Sequence, residues 1–233
     1  MLLYLEIKRL INKSLKGIHN FFLFWGVNIS FVRQESSVSA MEHNALEYTN
    51  KTYAQKKYQD IVLSKSHQRF FQSIIHILKS HAINLQGAKV VDAGCGVGNL
   101  LLHLYDEWPS AQYYGFDFSE KALEVAQKRF PQGVFHLHDI YKTIEAQFNF
   151  CFCTEILEHL LYPEKAFRNI FDAVLPRGIL FITIPDGRKD TFSGHINFWS
   201  LESWRVFIEK NAPLSKIITG NIENNLYTII YKH

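Results

Sequence analysis

The sequence predicts an α/β protein built on a doubly wound, seven-stranded, mostly parallel sheet. Short apolar runs alternate with amphipathic helical patterns from residue 89 onward. Acids or hydroxyls stand at successive run ends: Asp92, Asp117, Asp139 and Thr154 with Glu155. The first run passes through the alternating glycines Gly94, Gly96 and Gly98 into a helical pattern, a strand, a tight turn and a helix start.

Each element follows from a local signal. Residues 41–86 read as helical: Tyr48, Tyr53 and Tyr58 punctuate a polar stretch, and Phe70, Phe71, Ile74, Ile75, Ile77 and Leu78 form an apolar stripe. The stripe is core, and the tyrosines are either half-buried packing or a lid over a ligand. Gly87 leads into a first strand, 89–92, and residues 112–116 form a second, ending at Asp117. Ser119 N-caps a helix carrying Ala122, Leu123, Val125 and Ala126, which Pro131-Gln132-Gly133 breaks. Residues 134–137 make a third strand, and the almost wholly apolar 148–153 a central fourth. Pro163 starts the next helix, Pro176-Arg177-Gly178 turns the chain into a fifth strand at 179–184, and Ser200 caps a helix at 201–210. Residues 217–219 and 226–232 complete the sheet, their hairpin-like order implying one antiparallel strand inserted at an edge.

A hydrophobic content of 47% is ample for a buried core, and a formal charge of +3 is too small to argue for nucleic acid. Lysines and arginines are scattered, so no nucleic-acid partner is expected. Of the three cysteines, Cys95 lies in the glycine turn, and Cys151 and Cys153 share one strand face. They read as reduced, packed thiols rather than metal ligands, whose usual spacing is Cys-x-x-Cys. Residues 1–40 form a separate extension: a basic amphipathic stretch over 2–18, then an apolar run at 21–32 too short to span a bilayer. Peripheral membrane contact through residues 1–32, an extra helix packed on the domain, and a translation start at Met41 all remain open. The main domain is then 41–233, with a helical lid at 41–86.

The glycine turn excludes two common phosphate sites. A dinucleotide fingerprint needs a sixth-position glycine, where this chain has Asn99, and a P-loop needs a lysine that Gly98-Asn99-Leu100 lacks. What remains is Asp-x-Gly-x-Gly-x-Gly. An acid ending the second strand suits a ribose diol, because both hydroxyls can donate to one carboxylate. Asp139 after the third can accept from an adenine amino group, with Ile140 on the ring.

Taken together, Asp92-Ala93-Gly94-Cys95-Gly96-Val97-Gly98, Gly115-Phe116-Asp117-Phe118-Ser119, His138-Asp139-Ile140, Thr154 through Leu160 and Leu175-Pro176-Arg177-Gly178 resemble the successive motifs of class I S-adenosylmethionine-dependent methyltransferases. The match is similar to the branch with the ubiquinone-biosynthesis O-methyltransferases and covers about residues 60–210. It departs from that layout after Asn211 and in the N-terminal extension. The resemblance implies a Rossmann-like methyltransferase fold. It also implies S-adenosyl-L-methionine at Gly94, Cys95, Gly96, Gly98, Asp117, Phe118, Asp139, Ile140 and Thr154, with Arg69 on the donor's carboxylate. It implies a cytosolic enzyme as well, since the cofactor is cytosolic, and this argues against reading residues 1–40 as a secretory leader.

Glu155, Glu158 and His159 stand at i, i+3 and i+4 from the start of an expected helix, which would put them on one face. They are candidate ligands for a divalent cation, magnesium or zinc, with His195 as a fourth, and part of the resembling branch is metal-dependent through this motif. Residues 194–199 face the same rim, where His195 and His159 are rival bases for an acceptor hydroxyl. Tyr48, Tyr53, Glu155, His159, His195 and Trp199 are the expected acceptor contacts. The expected activity is methylation of a small-molecule acceptor, at oxygen ahead of nitrogen. The rivals are a sugar or lipid-linked acceptor at a membrane, a non-catalytic protein keeping the cofactor fold, and an NAD-dependent oxidoreductase, which Asn99 weakens.

Overall fold

The computed structural model describes residues 46–53, 55 and 64–233. The 1–40 extension, Met41 and Tyr58 lie outside the described residues, as does the side chain of Tyr48. Two helices come first, α1 (Leu46–Tyr53) and α2 (Lys65–Ser80). There follow β1 (Lys89–Ala93), α3 (Asn99–Glu107), β2 (Gln112–Asp117), α4 (Glu120–Arg129), β3 (Val134–Leu137) and β4 (Phe148–Thr154). A 3-10 turn (Leu157–His159), α5 (Pro163–Asp172), β5 (Val174–Pro185), α6 (Leu201–Asn211), β6 (Lys216–Ile222) and β7 (Asn225–Tyr231) complete the chain. Among the described residues no helix is long and apolar enough to cross a membrane.

The strands form one seven-stranded sheet in the order β3-β2-β1-β4-β5-β7-β6. All neighbours run parallel from β3 across to β5, and β7 is antiparallel to both β5 and β6. The antiparallel strand therefore lies one place inside the edge, with β6 outermost. Successive side chains of a strand point to opposite faces, and this alternation sorts the core into two layers. Val91, Cys151, Cys153, Leu180 and Ile182 face Phe167 and Ile170 of α5 and Trp204 and Ile208 of α6. Val90, Phe152, Phe181 and Ile229 face Phe70, Ile74 and Leu78 of α2 and Leu100, Leu101 and Leu104 of α3. Burying each such side chain contributes about 1.5–3 kcal/mol. Trp204 is fully buried, and its indole N–H donates to Thr228 Oγ1 at 2.7 Å.

The helix caps follow the sequence. Ser119 accepts from the Ala122 N–H at 3.2 Å, and Ser200 forms a capping box with Ser203. One expected turn is absent: Pro176-Arg177-Gly178 lies inside β5, with a register shift on the β4 side and Arg177 at φ +63. The Arg177 N–H donates to the Lys232 carbonyl at 3.0 Å, so the distant C-terminus keeps the segment in the sheet.

The chain leaves β1 for β2 on one side, while β4 lies on the other. Their following loops diverge and open a crevice at the carboxyl ends of the strands, where ligands of doubly wound sheets bind. Because β7 is antiparallel, the β6–β7 hairpin turn comes to that same end of the sheet.

Candidate active site

A cleft of about 400 Å³ opens at this crevice. The β1–α3 turn contributes Asp92, Gly94, Cys95, Gly96, Val97 and Asn99, and β4 with its following turn contributes Thr154, Glu155 and Ile156. Tyr53 of α1 closes one side, with His67, Phe70 and Phe71 of α2, and Glu223, Asn224 and Asn225 of the β6–β7 hairpin stand at another.

Gly94, Gly96 and Gly98 all have positive φ, at +87, +51 and +77. The space above them is partly taken by the protein itself. A Cβ at Gly94 would lie 2.4 Å from Ile156 Cδ1, and one at Gly96 would lie 3.0 Å from the Tyr53 hydroxyl. Gly98 packs on Ala126 and Phe135 and serves as the N-cap of α3, outside the cleft lining. The expectation of bare glycine backbone against a ligand therefore narrows to the cleft edges of Gly94, Cys95 and Gly96. Cys95 is buried, and burial pushes its thiol well up, so it is no nucleophile.

Asp92 is the polar centre of the cleft. It is 2% exposed, and its Oδ1 has no hydrogen-bond partner. Burial, with the nearby Asp117 charge, pushes its carboxyl up to about 8. The sequence reading placed Asp92 at a strand end without giving it a task. Asp117, expected at a ribose diol, has partners within the protein. It is buried outside the cleft lining, and its carboxylate accepts from the Gly96 N–H at 2.8 Å and the Ser119 N–H at 2.9 Å. Burial raises its pKa, and those N–H groups pull it back.

Several other expected contact residues stand outside the cleft lining. Arg69 is exposed and absent from the cleft lining; helical phase turns Phe70 and Phe71 inward instead, and the exposed His67 lines the cleft with them. Phe118 is 40% exposed, and the exposed Asp139 uses its Oδ1 to accept from the Tyr141 N–H at 2.9 Å. Ile140 packs against the core. These three stand on the β2–β3 side of the strand ends, beyond the cleft. Trp199 stacks edge-on against Trp204, packs against Phe207 and is absent from the cleft lining. Tyr53, Gly94, Cys95, Gly96, Thr154 and Glu155 are where the sequence placed them, in the cleft.

The glutamate–histidine cluster is only partly the one expected. Residues after β4 form a 3-10 turn rather than an α-helix, and Glu155 takes a left-handed backbone, φ +56. That aims Glu155 into the cleft and removes it from the cluster. The ligand atoms of Glu158, His159 and His195 lie within 4.8 Å of one another. Glu158 is 0% exposed, and neither carboxylate oxygen has a hydrogen-bond partner. Burial and the Glu155 charge push its carboxyl well up, and burial with the Asp190 charge pushes Glu155 to about 7. His159 Nε2 and His195 Nε2 each lie 3.9 Å from Glu158 Oε1. His159 Nδ1 faces the Gly194 carbonyl at 3.2 Å, and His195 Nδ1 lies 2.5 Å from Asp190 Oδ2.

Asp190 had no signal in the sequence, because only the fold of its own loop turns it back on His195, five residues on, and the hairpin residues 223–225 reach the cleft only through tertiary contacts. Loop 190–197 is clamped on the 3-10 turn: the Ile196 and Asn197 N–H groups donate to the Glu158 carbonyl, and Asn197 Nδ2 donates to the Leu157 and Leu160 carbonyls.

A Rossmann-like doubly wound sheet with a glycine turn and a buried acid at its switch point defines the class of α/β proteins that bind ligands at the carboxyl ends of their strands, and sequence comparison names the family. A model described as a methyltransferase domain matches residues 62–211, and the chain belongs to that family. Trans-aconitate 2-methyltransferase of Variovorax paradoxus (strain S110) is 34% identical over 107 residues, 45% of this chain and 41% of that protein. The enzyme of the same name from Yersinia pestis (strain Pestoides F) is 33% identical over 98 residues, 42% and 38% of the two chains. The match thus spans about two fifths of the length of these relatives. The fold is similar to magnesium protoporphyrin IX methyltransferase from Synechocystis PCC 6803, with a TM-score of 0.62 at 19% identity over 88% of this chain and 100% of that one. It is also similar to the N-methyltransferase NodS from Bradyrhizobium japonicum WM9, with a TM-score of 0.63 at 15% identity over 80% and 97%.

Proposed function

We propose that the chain is an S-adenosyl-L-methionine-dependent methyltransferase that methylates a hydroxyl oxygen of a small molecule, in the manner of the O-methylating branch its motifs resemble. The observation that carries this reading is Asp92 Oδ1, buried at the end of β1 beside the glycine turn and without a partner. An orphaned buried acceptor costs about 1–3 kcal/mol, which a donor-bearing ligand such as an ammonium group relieves. The cleft volume suits a small cofactor. Asp92 would hold the ammonium group, and the edges of Gly94, Cys95 and Gly96 and the side chain of Thr154 would flank the rest. Bound there, adenosylmethionine supplies an electrophilic methyl group for in-line displacement. The protein's part is alignment and the exclusion of water, with Tyr53, Phe70 and Phe71 as the apolar wall.

The curated relatives are named for trans-aconitate, a carboxylate acceptor. The described cleft lining here carries the carboxylates Asp92, Glu155 and Glu223 and a single imidazole, His67. That balance favours an acceptor bearing hydroxyl donors over a polyanion.

The finer reading adds a divalent cation at Glu158, His159 and His195. In their neutral forms both imidazoles turn Nε2 toward the unpartnered Glu158 carboxylate, since Nδ1 of each faces a group that only accepts. One carboxylate and two imidazoles suit zinc better than magnesium, which loses an oxygen ligand when Glu155 turns into the cleft. Glu158, His159 and His195 stand outside the described cleft lining, the first two one turn beyond Glu155 and Ile156; an ion there would lower the pKa of an acceptor hydroxyl that reaches it, and without one His195 would be the base.

The test is calorimetry with adenosylmethionine and adenosylhomocysteine, then an acceptor screen with labelled methyl donor that includes trans-aconitate, with and without chelator. Binding of both nucleosides, weakened in Asp92→Asn, supports the reading. Absence of binding by either removes it, and turnover unaffected by chelator removes the cation alone.

A further inference from the structure

We infer that Asp190 is a positioning residue that fixes which nitrogen of His195 carries the proton, so that Nε2 presents its lone pair at Glu158. The carboxylate of Asp190 is itself held in place: Oδ1 accepts from the Phe192 N–H at 2.9 Å, and Oδ2 lies 2.5 Å from His195 Nδ1. Asp190 and His195 side chains are 8% and 11% exposed, so water competes little for either. A carboxylate at this distance accepts the Nδ1 proton, and in the neutral ring Nε2 is then an acceptor. That nitrogen lies 3.9 Å from a fully buried carboxylate oxygen without a hydrogen-bond partner. Without Asp190 the opposite tautomer is the better one, because an Nε2–H 3.9 Å from that orphaned oxygen is attracted to it, whereas an Nε2 lone pair is repelled. Asp190 thus holds the ring against its local preference. The inference rests on His195 having a role at the site, as base or as cation ligand, in the proposed reaction; the tautomer itself is measurable without any reaction.

The substitution Asp190→Asn tests it with a defined direction. In the same pose the amide oxygen takes the place of Oδ1 on the Phe192 N–H and the amide NH2 turns to His195 Nδ1. The ring must then carry its proton on Nε2. Long-range 1H–15N spectra of the full chain labelled at histidine nitrogen read both nitrogens directly at a pH where the ring is neutral, with His195→Gln identifying the signals. Expected are an Nδ1–H ring in the wild type, an Nε2–H ring in Asp190→Asn, and a return to Nδ1–H in Asp190→Glu. Turnover in Asp190→Asn should fall by on the order of 10²–10⁴-fold, with the dissociation constant for adenosylhomocysteine unchanged. An Nε2–H ring in the wild type overturns the inference even if the variant fails to fold, and so does an unchanged tautomer in a folded Asp190→Asn. A protein with the expected tautomers and no methyl transfer to any acceptor retains the Asp190 assignment and removes the proposed activity.

Discussion

The Gly96 N–H donates to Asp117 Oδ2 across 2.8 Å, tying the glycine turn of β1 to the end of β2. The other oxygen accepts from Ser119, the cap of α4, so one buried carboxylate fixes the start of two loops and a helix. Asp117→Ala strands two buried N–H groups, each costing about 1–3 kcal/mol. Urea unfolding should show a loss of about 2–5 kcal/mol, smaller in Asp117→Asn, which keeps one acceptor. Donor affinity should fall in parallel as the turn loosens. A wild-type midpoint in Asp117→Ala would show that the turn does not depend on this carboxylate.

Asp92 should make both stability and ligand affinity depend on pH. Its folded pKa, about 8, lies above the ordinary value of 3.8. Across that window the folded chain holds a proton that the unfolded chain has released, so Asp92's contribution to stability declines as pH rises from 3.8 through about 8. Asp92→Asn should flatten this part of a melting-temperature profile. An ammonium ligand favours the carboxylate, so adenosylhomocysteine should bind with release of a proton and tighten as pH rises toward 8. Calorimetry in buffers of different ionisation enthalpy measures the proton directly.

Gly94→Ala separates two costs. The backbone sits at φ +87, which alone costs an L-residue about 1–2 kcal/mol, and the new methyl would lie 2.4 Å from the end of the Ile156 side chain. The single variant should lose about 2–4 kcal/mol. Adding Ile156→Ala should recover only the steric part, which a double-mutant cycle of melting curves quantifies. Strict additivity would remove the contact as a cause.

Glu158→Gln probes the cation directly. Zinc added to chelator-treated wild-type protein should raise its melting temperature by mass action. The variant, with a neutral amide in place of the carboxylate, should show little or no such shift. Equal shifts in both would place zinc elsewhere.

Asn197 joins the two halves of the site through its bonds to the Leu157 and Leu160 carbonyls, at 3.1 and 2.7 Å. Asn197→Ala should cost about 1–3 kcal/mol and increase hydrogen exchange across 190–197. Unchanged exchange there would show that the loop is held without it.

Periodicity and punctuation made the sheet legible. The two-residue alternation in Cys151, Phe152 and Cys153 carried the sorting of side chains to opposite faces, and Ser119 and Ser200 carried the caps. The signal failed at Arg177, where proline and glycine announce a turn but pairing with Lys232 keeps the strand. It failed again at Glu155, where helical spacing put three ligands on one face and a left-handed residue broke the helix before it began.

The sequence by itself determined the elements, their alternation, the glycine turn and the acid that ends β1, because these rest on interactions between near neighbours. Only the tertiary structure decided which side chains meet: that Asp117 accepts from the Gly96 N–H of the turn, that Arg69 is exposed, and that His195 meets Glu158 with Asp190 on its other nitrogen. Those outcomes depend on where distant loops come to rest, 21 residues apart for Gly96 and Asp117 and 37 for Glu158 and His195. Hydrogen bonds such as those of Asn197 set those positions, and no local pattern encodes them.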